Sequence, residues 1–201
     1  MSEPSQLAQA LSQVSAHLTA LSYEWALVGG LAISTRCEPR FTHDLDIAIT
    51  VDSDEQAELL TFKLIRSGAQ MKFLLDQDEQ GRLSMARLLM GSSSLTPVDL
   101  LFASSGIEAE VIQSATLLEV FPQVHVPVAS IAHLAALKLL SASHKRLKDL
   151  ADLNALHKVA TEEDLKVTQE ACALITARGF HRGLNLSARF DRWRNGLLPL
   201  E

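Results

Sequence analysis

Two carboxylates separated by one residue, Asp44 and Asp46, stand at the start of a β-branched, apolar run, Leu45 to Val51 (LDIAITV). Side chains alternate faces along a strand, so both acids point the same way. Two like charges at that spacing repel unless something positive lies between them, and a divalent cation is the simplest solution. A third acid, Asp99, interrupts another apolar strand, Pro97 to Ala103 (PVDLLFA). An acid so surrounded is at the surface, paired, or a metal ligand. If its strand neighbours the Asp44 strand, three carboxylates converge and offer ligands to one or two Mg²⁺ (or Mn²⁺) ions. Ions so held can activate an attacking hydroxyl and neutralise a leaving pyrophosphate. Gly29-Gly30 complements them. A glycine pair at a strand-to-helix turn lets backbone approach a ligand, and the following helix offers free N–H groups to phosphate. Each feature alone is ordinary, since a lone Gly-Gly is usually just a turn and a lone buried Asp is often structural. Their order along the chain gives them weight.

Positioning these residues requires particular elements. Leu7, Leu11, Val14, Leu18 and Leu21 recur at helical steps and predict an amphipathic helix. Trp25 to Val28 reads as a strand entering the glycine turn, and Leu31 to Arg36 as the first turns of a short helix. Ser53 or Asp54 caps a helix through Arg66 that stops near Gly68. Gln70 to Leu75 and Leu83 to Met90 read as strands. Ile107 to Ser114 reads as a short helix and Leu117 to Val128 as one extended stretch with prolines at 122 and 127. From Ser130 the pattern is helical: Ile131 to Ser141, Leu147 to Lys158, Thr161 (as cap) to Ala177, and Ser187 to Arg194. The expected fold is α/β (α+β), a mixed sheet flanked by helices over residues 1–128, followed by a helical region, 129–201, packed on it.

With those elements in place, the run LVGGLAISTRCEPRFTHDLDIAI resembles the first motif of the nucleotidyltransferase superfamily: a hydrophobic strand, Gly-Gly or Gly-Ser, a gap of this size, then Asp-x-Asp. Asp99 in VDLLF matches the third carboxylate. The helical run HLAALKLLSASHKRLKDLADLNAL resembles a later motif of the AbiEii/AbiGii toxin-like group of bacterial abortive-infection and toxin–antitoxin loci, through Lys138, Arg146, Lys148, Asp149 and Asp152. The resemblance spans roughly Ala26 to Leu156. It implies an enzyme that moves a nucleoside monophosphate from an NTP to a hydroxyl on tRNA, other RNA or protein, with an antitoxin protein as partner. Asp44, Asp46 and Asp99 are then the catalytic and metal-binding acids, while Gly29, Gly30, Arg40, Thr42, Lys138, Arg146, Lys148 and Asp149 serve the nucleotide. Lys138 lies on an otherwise apolar helix face, where an ammonium needs a triphosphate or a carboxylate as partner. Asp149 orients it or acts as a base, and Asp152 caps or pairs. Arg40 is placed to reach a phosphate and Thr42 to support the Asp-x-Asp turn, whereas His43 alternates away from the acids. Gly30 departs from the motif where Ser would supply a hydroxyl.

Composition narrows the field further. The 201 residues are 47% hydrophobic with a net charge of −6, which allows a sizeable core and excludes a generally basic nucleic-acid binder. A basic cluster, Arg178, Arg182, His181, Arg189, Arg192 and Arg194, is either a solvated helix face or an RNA-contacting one. Cys37 and Cys172 form no framework or metal pair, no apolar run spans a bilayer, and a cytoplasmic setting is expected. His125, His133, His144 and His157 lack metal-ligand spacing. Two other readings share the glycine and acid core: an antibiotic or small-molecule nucleotidyltransferase, against which the Lys138–Asp152 motif argues, and a non-catalytic NTP-binding regulatory module.

Overall fold

The computed structural model describes residues 5–77, 81–91, 95–143 and 147–198. Arg146 and His144 lie outside these residues. The chain begins with α1 (Gln6–Ala20), whose first turn is capped by the Ser5 hydroxyl and which buries Leu11, Val14 and Leu18. Next come β1 (Trp25–Val28), α2 (Gly29–Arg36), β2 (Leu45–Ile49), α3 (Asp54–Arg66), β3 (Gln70–Gln77), β4 (Arg82–Met90), β5 (Thr96–Leu101), α4 (Glu108–Gln113), β6 (Thr116–Phe121) and β7 (Val124–Val128). The helical remainder is α5 (Ile131–Ser141), α6 (Leu147–Val159), α7 (Glu162–Ala177) and α8 (Leu186–Arg194). Among the described residues no helix is long and apolar enough to cross a membrane.

The strands form one seven-stranded mixed sheet in the order β3-β4-β5-β2-β1-β7-β6. The β2–β5 and β1–β7 pairs are parallel and the others antiparallel. On β4, Ala86, Leu88 and Met90 are buried, while Met85, Arg87 and Leu89 are half-buried. Helices α1 and α3 pack against β4 and so cover its buried face. Helix α2 packs against β1 and β2 and carries α5 and α6. On the other face of the sheet's β3–β4 half, Phe73 and Leu75 are exposed.

Three details differ from the pattern expected. The helix anticipated from Leu31 begins at Gly29, directly after Val28, because Gly29 takes φ +64, a conformation open to glycine. The strand expected to run to Val51 ends at Ile49. The single extended stretch from Leu117 becomes a hairpin, with Gln123 at φ +66 after Pro122 turning the chain between β6 and β7. The α7 cap is a complete capping box: the Thr161 hydroxyl accepts from the Asp164 N–H while the Asp164 carboxylate accepts from the Thr161 N–H.

Candidate active site

The acids lie where the sheet brings β1, β2 and β5 together. Asp46 is opposite Val28 on β1 and opposite Asp99 on β5, so the residue preceding the glycine pair and two of the acids occupy one cross-strand row. Asp44 lies just before β2, and its Oδ1 accepts a hydrogen bond from the Thr42 hydroxyl at 3.0 Å, the supporting role expected of Thr42. Burial, then the neighbouring charges of Asp44 and Asp99, push the Asp46 carboxyl up to about 7, with Lys138 and the Gly30 N–H acting the other way. Burial is the larger of these causes, and the two neighbouring carboxylates add to it.

Asp99 meets the requirement for a buried acid by pairing. Its carboxylate is gripped on both oxygens by Arg87, directly across on β4: Nε reaches Oδ1 at 2.6 Å and Nη2 reaches Oδ2. The guanidinium lies over the Phe73 ring on β3, 5.3 Å from its centroid. Sequence reading missed Arg87, although a lone charge at an alternate position of the apolar run Leu83–Met90 was the available signal. Because Asp99 is turned to Arg87, no three Asp, Glu, His or Cys side chains among the described residues converge closely enough to hold a metal as they stand. The hard carboxylate oxygens of Asp44 and Asp46, which stand together in the cleft, nevertheless suit Mg²⁺ or Mn²⁺.

The glycines are required for a reason the sequence did not reveal. A Cβ on Gly29 would lie 1.9 Å from Asp46 Oδ2, and one on Gly30 would lie 2.5 Å from Arg40 Nη2 and 3.1 Å from Thr42 Oγ1. The close approach is made by the protein's own side chains, which crowd the start of α2.

Lys138, on α5, finds carboxylates rather than solvent. Its Nζ is 2.6 Å from Asp149 Oδ1 and 2.9 Å from Asp152 Oδ2, both on α6. Burial alone would lower the Lys138 pKa, but the two carboxylates outweigh it and the ammonium is held above its usual range. Asp152 is fully buried and also accepts a forked pair from Arg40, 2.5 Å from Nε and 2.8 Å from Nη2. Asp152 is therefore a central anchor, a larger part than the cap or simple pair expected of it. Arg40 binds this anchor at the edge of the glycine turn. Exposed Lys148 stands at the rim, and His43 packs edge-on against Phe41.

These groups line a cleft of about 660 Å³ that includes Gly29, Gly30, Arg40, Thr42, Asp44, Asp46, Arg87, Asp99, Lys138, Lys148 and Asp149. A larger hollow of about 940 Å³, between α1, α4 and the β6–β7 hairpin, is lined by none of them. One further part of the cleft wall went unread in the sequence. The loop after β5 is pinned by Glu108, whose Oε1 accepts from the N–H and hydroxyl groups of both Ser104 and Ser105. Arg182 reaches over from the C-terminal region to the Ser104 carbonyl at 2.7 Å. The arginine cluster does not form one basic face: Arg178 pairs with Glu110, and Arg189 is buried, donating to the Leu139 and Ala142 carbonyls.

The family described as Nucleotidyl transferase AbiEii toxin, Type IV TA system, matches residues 13–192. That is more of the chain than the two motifs span. No curated protein matches the sequence. Among solved structures, an antigenic nucleotidyltransferase-like protein from Paracoccidioides brasiliensis is similar at 19% identity with a TM-score of 0.55, covering 87% of this chain and 88% of that one. The antibiotic-resistance factor ANT(2'')-Ia is similar at 15% identity with a TM-score of 0.50, covering 88% and 98%. At such identities these likenesses show a shared nucleotidyltransferase-like fold.

Proposed function

The chain belongs to the AbiEii nucleotidyltransferase toxin family, and from that premise we propose that it transfers a nucleoside monophosphate from an NTP to a hydroxyl of RNA (including tRNA) or protein. The observation that carries this reading is the row of Asp46 and Asp99 beside the Gly29 turn, with Lys138 in the same cleft. Asp44 and Asp46 hold Mg²⁺ or Mn²⁺, and Asp99 completes the site. The cation, when bound, withdraws charge from phosphate oxygens and from the attacking hydroxyl. The start of α2 at Gly29 and Gly30, together with Arg40, Lys138, Lys148 and Arg146, serves the triphosphate, and Asp149 fixes the Lys138 ammonium. The acceptor oxygen forms a bond to the α-phosphorus, the bond to pyrophosphate breaks, and Asp99 takes the hydroxyl proton. Each Asp99 oxygen accepts one hydrogen bond from Arg87 and keeps a second lone pair for that proton. A protein antitoxin of the same locus is the proposed partner.

The test is incubation of the purified protein with Mg²⁺, each of the four α-labelled NTPs, total RNA and cell lysate, beside an Asp44→Ala/Asp46→Ala double variant. Label on RNA or protein with the intact acids alone is the expected result. NTP binding without transfer to any acceptor would replace catalysis with the regulatory-module reading.

A further inference from the structure

The row that contains the acids continues beyond them. Register pairs Asp46 with Asp99, Asp99 with Arg87, and Arg87 with Phe73, one residue from each of β2, β5, β4 and β3. Residues directly opposite share a sheet face, so carboxylates, guanidinium and aromatic ring form one continuous strip. On the β1 side of the acids lie the groups assigned to the triphosphate. An acceptor attacks phosphorus roughly in line with the departing pyrophosphate, from the opposite side. That side is the β4–β3 flank, where Phe73 and Leu75 are exposed.

The chemistry of this flank is specific. Phe73 is 37% exposed and Leu75 49% exposed on the edge strand, and Leu75, Met85 and Arg87 all line the cleft. The Arg87 charge is already answered by Asp99, and its guanidinium lies over the Phe73 ring while remaining partly exposed. A paired guanidinium and an exposed ring suit the π-face of a base, which stacks without regard to sequence. Strands lie about 4.8 Å apart, which puts Phe73 roughly 10 Å from Asp99, a distance one nucleoside spans. An apolar edge strand exposed in this way is otherwise a liability for aggregation.

We propose that Phe73 and the Arg87 guanidinium stacked on it form a platform for the terminal base of a single-stranded nucleic-acid acceptor, setting that nucleotide's sugar hydroxyl at Asp99. The proposal rests on the nucleotidyltransferase reading above and selects nucleic acid over protein as acceptor. Its test compares wild type, Phe73→Ala and Phe73→Trp in two binding titrations with Mg²⁺: one with NTP, the other with a short single-stranded RNA labelled away from its free terminal hydroxyl. Phe73→Ala should weaken RNA binding about ten-fold or more, in line with loss of one base–aromatic stack. Phe73→Trp should restore it, and NTP affinity should be the same in all three. Equal RNA affinity in wild type and Phe73→Ala overturns the platform, as does a wild type that binds NTP but not RNA; both leave the NTP site standing. Label transfer to protein that is indifferent to Phe73→Ala overturns it as well. A wild type that binds no NTP brings down the underlying reading itself.

Discussion

Gly29 and Gly30 are adjacent, yet substitution should affect them differently. At Gly29 a methyl group would meet the Asp46 carboxylate in a backbone conformation that L side chains rarely adopt. Gly29→Ala is expected to cost on the order of 1–3 kcal/mol in denaturant unfolding and to abolish Mn²⁺ binding by displacing Asp46. At Gly30 the obstacle is the Arg40 guanidinium, which Asp152 holds, but the backbone is not in the left-handed region and Asp46 is not touched, so Gly30→Ala should be the milder change and should spare Mn²⁺ binding. Asp46 itself supplies a pH test. Its carboxyl is raised from 3.8 to about 7, so between those values the native state binds more protons than the unfolded chain. Stability in the presence of a chelator should therefore fall as pH rises through that window. Asp46→Asn should be more stable than wild type at pH 8, with the gap closing toward pH 4. Melting curves across this range check it, and a gap independent of pH would contradict the assignment. The acids were legible because their spacing is local. Arg87 was not, because its role depends on a strand pairing that no local pattern reveals.

The elements carrying the site are tied together by one buried network. Asp152 on α6 holds Arg40 from the loop before β2 and Lys138 from α5. Removing it takes the buried carboxylate from between the Arg40 and Lys138 cations, so Asp152→Ala is expected to cost about 3–5 kcal/mol. Lys148→Ala, at the exposed rim, should stay within about 0.5 kcal/mol of wild type in the same unfolding experiment while weakening NTP binding. Equal stability of the two variants would mean that the network is not the brace described. Lys138, Asp149 and Asp152 were singled out by the resemblance, and Lys138 also by its place on an apolar helix face. The Arg40–Asp152 pair was not readable, because its partners lie 112 residues apart along the chain. The arginine cluster shows the same limit. Arg189 looks like a surface charge in the sequence, but in the fold it is buried and serves the C-terminal carbonyls of α5.

On the scale of the whole molecule, the change of character at Val128 separates composition more sharply than it separates structure. Arg36 on α2 donates to the Val128 and Ala129 carbonyls, each at 2.7 Å, and Thr168 on α7 bonds the Ala132 carbonyl on α5. The cleft draws Asp46 and Asp99 from the sheet but Lys138, Asp149 and Arg182 from the helical region. A site assembled from both sides needs them held in register, and the fully buried side chains extend from Leu27 and Ile47 to Leu156 and Phe190 in one connected core. The two halves are therefore expected to unfold as one cooperative unit. The two tryptophans offer the measurement, since Trp25 lies on β1 and Trp193 on α8, where its Nε1–H donates to the Leu153 carbonyl. In Trp193→Phe the fluorescence reports β1, and in Trp25→Phe it reports α8. Each variant's fluorescence midpoint in urea should coincide with its own backbone circular-dichroism midpoint. If the helical region were a separate domain, the Trp193 signal would change at a different urea concentration from the sheet. The cleft would then be an interface that opens on its own.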